Sequence, residues 1–177
     1  MSRLADPQEH DDLLNYRLKR LLTLGGAPAI RICEGKYGVA RAEWRLVAAL
    51  VEEGPRSPTE LAQRTGLEPG RVSLLASRLM RKALIERVAA AGDRRRAALR
   101  ATNAGRKLYA ELFPELAAIN RRLMSVLNRA EAAMLDRCLA KLTVHAQEIF
   151  DSGGGVEVRA DRHRGGARRV WAAAAGT

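Results

Sequence analysis

Residues 57–82 read SPTELAQRTGLEPGRVSLLASRLMRK. Ser57 stands where an N-cap accepts a backbone N–H, Pro58 suits the first helical position, and Glu60 completes a capping box. Gly66 ends that short helix, and Leu67-Glu68-Pro69 opens another that runs to about Lys82. Two short helices joined by a tight glycine-containing turn make a helix-turn-helix. In the second helix the 3.6-residue period turns Val72, Leu75, Ala76 and Leu79 inward. It leaves Arg71, Ser73, Leu74, Ser77, Arg78, Arg81 and Lys82 outside. That face is basic, bears small hydroxyls, and has no acidic residue after Glu68. A solvated helix mixes its signs, so the plainer reading of a merely soluble basic face gives way to one shaped for a polyanion.

The next segment sharpens this. Leu84–Val88 reads as a strand and Ala97–Ala101 as its partner, joined through Gly92-Asp93 and the run Arg94-Arg95-Arg96. Three adjacent guanidinium groups repel one another and gain nothing from burial. A helix-turn-helix followed by a charged two-stranded ribbon is a winged helix, whose recognition helix enters a major groove while the wing reaches backbone or minor groove. Phosphates then supply the counter-charge, and Asp93 braces one of the arginines. Between residues 41 and 110 there are 15 Lys and Arg against 7 Asp and Glu, a net of +8 within a chain total of +11.

Upstream, Asp11–Leu24 repeats Leu14, Leu18 and Leu21 on one face, with Asp11 and Asp12 where a helix start favours negative charge. Gly25-Gly26-Ala27-Pro28 weakens this first helix; a bend continued by Ala29–Cys33 and a break are both open. Lys36–Val39 turns the chain into a second helix, Arg41–Glu53, lined by Trp44, Val47, Ala48 and Val51. Downstream, Thr102 caps a long helix carrying Leu108, Leu112, Leu116, Ile119, Leu123 and Val126, kinked at Pro114. A last helix after Asn128 bears Met134, Leu135, Cys138, Leu139 and Leu142 and runs to about Phe150. Glycines and scattered arginines follow, and such a composition cannot build a core.

The 177 residues suit one domain with tails, 47% apolar but only 4% aromatic, a balance that favours helices. No apolar run approaches the roughly 20 residues that span a bilayer, and the polar start MSRLADPQEHDD is no signal peptide, so a cytoplasmic location is expected. Cys33 and Cys138 lack metal-ligand spacing, and Cys138 sits in an apolar stripe as an inert core residue. His10, His145 and His163 stand apart from any acid or nucleophile pattern, and there is no glycine-rich phosphate loop. No catalytic residue, metal or cofactor is therefore expected.

At this point the chain resembles the MarR family of bacterial transcription regulators over roughly residues 10–150. The likeness rests on KYGVARAEWRLVAAL, SPTELAQRTGLEPGRVSLLASRLMRKALIER, GDRRRAALRATNAG and NRAEAAMLDRCLAKL. The wing is the most specific part: Asp93, Arg95, Leu99, Thr102 and Gly105 keep the family spacing D-x-R…L…T-x-x-G. Three positions depart from it. Ala83 replaces a usual Gly before the strand, Ala101 a usual Leu, and Ala40 offers the second helix no N-cap.

The resemblance implies a mainly α fold with a winged helix-turn-helix DNA-binding lobe. Together with composition at the two ends, it divides the chain into a flexible N-terminus (1–9), an N-terminal dimerisation segment (10–40), the DNA-binding domain (41–102), C-terminal dimerisation helices (103–150) and a disordered basic tail (151–177). It implies a homodimer on a pseudo-palindromic double-stranded operator. The apolar stripes Leu14–Leu21, Leu116–Val126 and Leu135–Leu142 agree, being too long for a small monomer to cover. Recognition helices then stand one DNA turn, about 34 Å, apart. Ser57, Thr59, Arg71, Ser73, Ser77, Arg78, Arg81, Lys82, Arg94, Arg95 and Arg96 become the DNA contacts, Ser77 and Arg78 reading bases.

Many members of the family are repressors released by small aromatic or phenolic acids. The corresponding junction here would gather Tyr16, Arg20, Arg31, Tyr37, Trp44 and Arg45, where aromatic walls and an arginine suit a flat carboxylate. The plainer alternatives are Trp44 as core and Tyr16 with Arg20 as a surface pair. Two other readings stand beside this one. Cys33, between Arg31 and Lys36, invites a thiol-based redox control, and a winged helix also serves as a protein-protein adaptor. The arginines and serines outside the second helix of the motif favour DNA over an adaptor's apolar anchors.

Overall fold

The computed structural model describes residues 2–90 and 93–153, with the side chains of residues 90 and 93–96 left outside the description. The chain divides into two units, residues 1–123 and 124–177. Of the tail expected to be disordered, 151–177, Asp151 is the last residue of a helix, and residues 154–177 lie outside the described part.

In the first unit, α1 (Leu14–Arg31) follows a 3-10 turn at His10–Asp12. Residues 2–9, expected as a loose lead-in, carry backbone turns, with Ala5 and Asp6 N–H donating to the Ser2 carbonyl. Asp12 is buried and accepts from the Gln8 N–H and from Arg17. Of the two outcomes open at Gly25–Pro28, a bend and a break, the break does not occur: α1 runs through Pro28 and continues into a π-helical turn at Ile32–Lys36.

The winged-helix part comprises α2 (Arg41–Glu52), α3 (Pro58–Thr65), α4 (Pro69–Arg81), β1 (Ile85–Ala90) and β2 (Asp93–Ala101). The α3 capping box forms as expected, with Ser57 N–H donating to Glu60 at 2.7 Å and Glu60 N–H to Ser57 Oγ at 3.3 Å. Gly66 ends α3 in the left-handed region at φ 62°, and Leu67 N–H closes the turn on the Ala62 carbonyl. Ala40 has no side-chain acceptor, yet its N–H donates to the Glu43 carboxylate at 2.9 Å, so the start of α2 is half capped from within.

The strands pair antiparallel from Ile85–Ala101 to Ala89–Ala97, then slip by a bulge so that Ala90 meets Asp93. Both extend further toward the tip than the apolar pattern indicates, and the arginine run falls in the bulge between the Ala89–Ala97 and Ala90–Asp93 pairs. A residue before α3 joins them: Arg56 and Leu99 exchange both backbone hydrogen bonds, at 3.0 and 2.8 Å.

Leu46, Val47 and Leu50 of α2, Leu61 of α3, and Val72, Leu75 and Leu79 of α4 close over Ile85 and Leu99 in one core. A second core joins Cys33, Val39 and Trp44 to Leu108 and Leu112 of α5 (Asn103–Met124). Helix α5 is continuous through Pro114. Thr102 caps it as expected, accepting from Gly105 N–H at 3.1 Å.

In the second unit, α6 (Arg129–Asp151) starts from a capping box between Asn128 and Glu131. It has no buried residue. Among the described residues Cys138 is accordingly exposed in the single chain, against its expected place in a core.

Candidate nucleic-acid interface

The inward set of α4 is buried as the period requires, and Arg71, Ser73, Leu74, Ser77, Arg78 and Arg81 are exposed. Among the described residues the side chains of Arg71, Arg78 and Arg81 make no ion pair or hydrogen bond, so three guanidinium groups face water without a paired carboxylate. Thr59 is exposed at the start of α3, while the Ser57 hydroxyl is held by the capping box.

Lys82 differs from these arginines. Its ammonium donates to the Glu43 carboxylate at 2.6 Å and to the Gly38 carbonyl at 2.8 Å. Glu43 is 2% exposed, so Lys82 neutralises a buried charge and ties the end of α4 to the start of α2. In the wing, Arg100 pairs with Glu86 across the ribbon at 2.8 Å, and Arg87 is exposed. The side chains of Arg94, Arg95, Arg96 and Asp93 lie outside the described residues; their backbones belong to β2.

The six residues expected around an effector are not gathered in one place. Trp44 and Arg45 line a cleft of about 660 Å³ between α1, α2 and α5. Tyr16 and Arg20 lie on another side of α1, in a second depression of about 720 Å³ with His10 and Leu13. Helical spacing explains the division, since residues 16 and 20 share a face that residues 18, 22 and 25 do not. Tyr37 instead donates to Glu115 at 2.6 Å, beside Lys36 on the same carboxylate, and Arg31 is exposed at the end of α1. Lys36 is the main cause holding the Glu115 carboxyl below its ordinary range.

Trp44 is both core and wall: it is buried, stacks on Tyr109 at 5.4 Å, and still borders the cleft. Arg45 donates to the Thr65 carbonyl. Burial first, then the positive charges of Arg41 and Arg71, pull its pKa below the usual arginine value.

The cleft also holds groups the sequence reading passed over, namely Arg41, Asn120 and the pair Gly25-Gly26. A Cβ on Gly26 would displace the Arg41 guanidinium, the mobile end of a long side chain, and a Cβ on Gly25 would meet Leu123 at 3.0 Å. Two glycines read as a weakness of the helix are thus places of close approach.

Cys33 is fully buried at this cleft, and burial pushes its thiol pKa up, with Arg41 opposing from second place. Arg31 and Lys36 are not its partners. A buried thiol of raised pKa is a poor nucleophile, which weighs against redox control through Cys33.

A helix-turn-helix with an uncompensated cationic outer face, continued by a two-stranded wing, defines a winged-helix DNA-binding protein. The chain belongs to the MarR family. The model of that family matches residues 37–96. The HTH-type transcriptional repressor MdtR of Bacillus subtilis strain 168 is 33% identical over 112 residues, spanning 63% of this chain and 72% of MdtR.

Two solved structures share the fold. One concerns the regulation of DNA binding of Bordetella bronchiseptica BpsR by 6-hydroxynicotinic acid, at TM-score 0.68 and 22% identity, covering 77% of this chain and 97% of that one. The other is NadR in complex with 4-hydroxyphenylacetate, at TM-score 0.66 and 24% identity, covering 76% and 95%. The chain is therefore a DNA-binding transcriptional regulator and not an enzyme. No helix among the described residues is long and apolar enough to cross a membrane.

Proposed function

We propose that this chain acts in the cytoplasm as a homodimeric repressor, released from a pseudo-palindromic operator by a small aromatic carboxylate or phenolic ligand. The observation that carries the DNA-binding part is the unpaired cationic face of α4. Arg71 and Arg78 lie one helical turn either side of Leu74, and Arg81 follows one turn after Arg78. In this reading Ser77 and Arg78 address bases. Ser57, Thr59, Arg71, Ser73, Arg81 and the wing residues Arg94, Arg95 and Arg96, braced by Asp93, hold backbone or minor groove. Lys82 serves mainly to keep α4 in place.

Residues 41–102 form the DNA-binding domain in this proposal, and 10–40 with 103–150 the dimerisation region. Its support is the uncovered apolar surface of α1 and α6. Leu21, Leu22 and Leu24 on one, and Met134, Leu139 and Leu142 on the other, are exposed in the single chain. A stripe of that size on each helix calls for a second copy.

For the effector, the cleft beside Arg41, Trp44 and Arg45 offers apolar walls and two guanidinium groups suited to a flat acid. BpsR and NadR, with 6-hydroxynicotinic acid and 4-hydroxyphenylacetate, favour the same ligand class. The test is a footprint on the promoter beside the gene, repeated with hydroxylated aromatic acids. Protection lost on adding such an acid supports the reading, and protection indifferent to every acid in the panel refutes the effector half of it.

A further inference from the structure

The outer face of α4 is cationic at its edges and apolar at its middle. Leu74 leaves 53% of its surface in solvent there. It follows Arg71 by three residues and precedes Arg78 by four, so the two guanidinium groups flank it as helical neighbours. One turn earlier stands Gly70. Helical side chains lean toward the N-terminus, so the isobutyl group extends over a position with no side chain of its own. A Cβ on Gly70 would touch only the Glu68 carboxylate, at 3.6 Å, so the space above the first turn of α4 is open for close approach. The first turns of a recognition helix are the part that reaches base edges.

The hydroxyls beside Leu74 have already spent their protons. Ser77 Oγ donates to the Ser73 carbonyl at 3.0 Å, and Ser73 Oγ to the Pro69 carbonyl at 3.2 Å. Only lone pairs remain for a ligand. An apolar group with acceptors beside it does not match guanine, whose groove edge offers N7 and O6 acceptors. It matches an A·T pair, which presents on one groove edge the thymine 5-methyl group and, beyond the O4 acceptor, the adenine N6 amino donor.

We propose that Leu74 is a base-reading residue: it takes the 5-methyl group of one thymine in each half of the DNA target, and Ser77 accepts from the amino group of the paired adenine. This rests on the reading of α4 as the major-groove element.

The experiment selects duplexes from a random-sequence pool with the full-length protein. Each thymine of the selected duplex is then replaced in turn by deoxyuridine, which deletes the methyl group and keeps the pairing. One thymine per half is expected whose replacement weakens the unaltered protein about fourfold, the worth of one buried methyl group, and leaves Leu74→Ala unaffected. Leu74→Met, which keeps an apolar tip, retains the discrimination. The assignment is overturned if no uridine position separates wild type from Leu74→Ala, or if the selected half-site contains no thymine. Should neither protein retain any duplex at low ionic strength, α4 is not a DNA-reading helix, and the proposed function falls along with the assignment.

Discussion

The Glu43 carboxylate and the Lys82 ammonium meet at 2.6 Å, joining the first turn of α2 to the residue that ends α4. Glu43 also accepts from the Ala40 N–H, so one carboxylate caps one helix and anchors another. Replacing Lys82 by Met removes the only cation paired with Glu43 among the described residues. A buried carboxylate left without its partner costs about 3 kcal/mol, near the low end of the range because Lys82 keeps one side in water. Urea unfolding of Lys82→Met reads that loss directly. Glu43→Gln with Lys82→Met, which leaves no charge behind, recovers a good part of it.

Ala83 occupies the left-handed region at φ 54°, where a Cβ costs about 1–2 kcal/mol. Its N–H bonds to the Met80 carbonyl, Leu84 N–H reaches the Leu79 carbonyl, and the Thr102 hydroxyl donates to the Ala83 carbonyl at 2.7 Å. Those bonds impose the conformation that alanine resists. Ala83→Gly therefore stabilises the protein by about 0.5–1 kcal/mol, after the extra freedom glycine gains in the unfolded chain is deducted. Thermal unfolding rises by roughly 2–4 °C per kcal/mol for a chain of this size. An unchanged or lowered midpoint refutes the strain.

These two relationships show what the sequence discloses and what it hides. Helices α3 and α4 end in the same hydrogen-bond pattern; at α3 it is legible because Gly66 marks it, and at α4 it is hidden because Ala83 does not. The helix-turn-helix, the buried face of α4 and the Thr102 cap are legible since each depends on local spacing. The Arg56 bridge to β2 and the Glu43–Lys82 pair are not, because they join residues 43 and 39 positions apart in the chain. For the cleft, residue type was a poor guide. Tyr16, Arg20, Arg31 and Tyr37 have the right chemistry but face elsewhere, and Arg41 lines the cleft with its guanidinium against Gly26.

Gly105 belongs to the same tertiary junction. A Cβ there would collide with the Leu84 carbonyl oxygen, which is backbone and is already held by Thr102 N–H at 3.1 Å. Neither group can yield without breaking the α5 cap or the start of β1. Gly105→Ala is expected to cost about 2–3 kcal/mol, measured by denaturant unfolding. A variant as stable as the parent refutes the close approach.

The thiol of Cys33 has its pKa raised by burial, so its neutral form is the one folding favours. The stabilising contribution is then present below the thiol's unfolded pKa and is lost as pH rises through its higher folded value. In a Cys138→Ser background, alkylation of Cys33 at pH 8 should be at least tenfold slower in the native protein than in denaturant. It should accelerate only in strongly alkaline solution. Rapid alkylation of the native protein at neutral pH would restore the redox reading.

Arg81 and Lys82 are adjacent in sequence, yet their surroundings assign them different work. Arg81 is exposed and has no partner among the described residues, whereas Lys82 is held by Glu43 and Gly38. If Arg81 meets a phosphate, its removal releases fewer counterions on binding, and the log-log slope of affinity against salt shallows by about 0.9 per contact. Arg81→Ala is therefore expected to flatten the salt dependence with little change in unfolding free energy. Lys82→Met does the reverse, lowering stability while leaving the slope near that of the parent. Fluorescence anisotropy on one duplex across a salt series, paired with urea unfolding of both variants, separates the two roles. Equal slopes for parent and Arg81→Ala would remove Arg81 from the interface, and a flattened slope for Lys82→Met would return Lys82 to it.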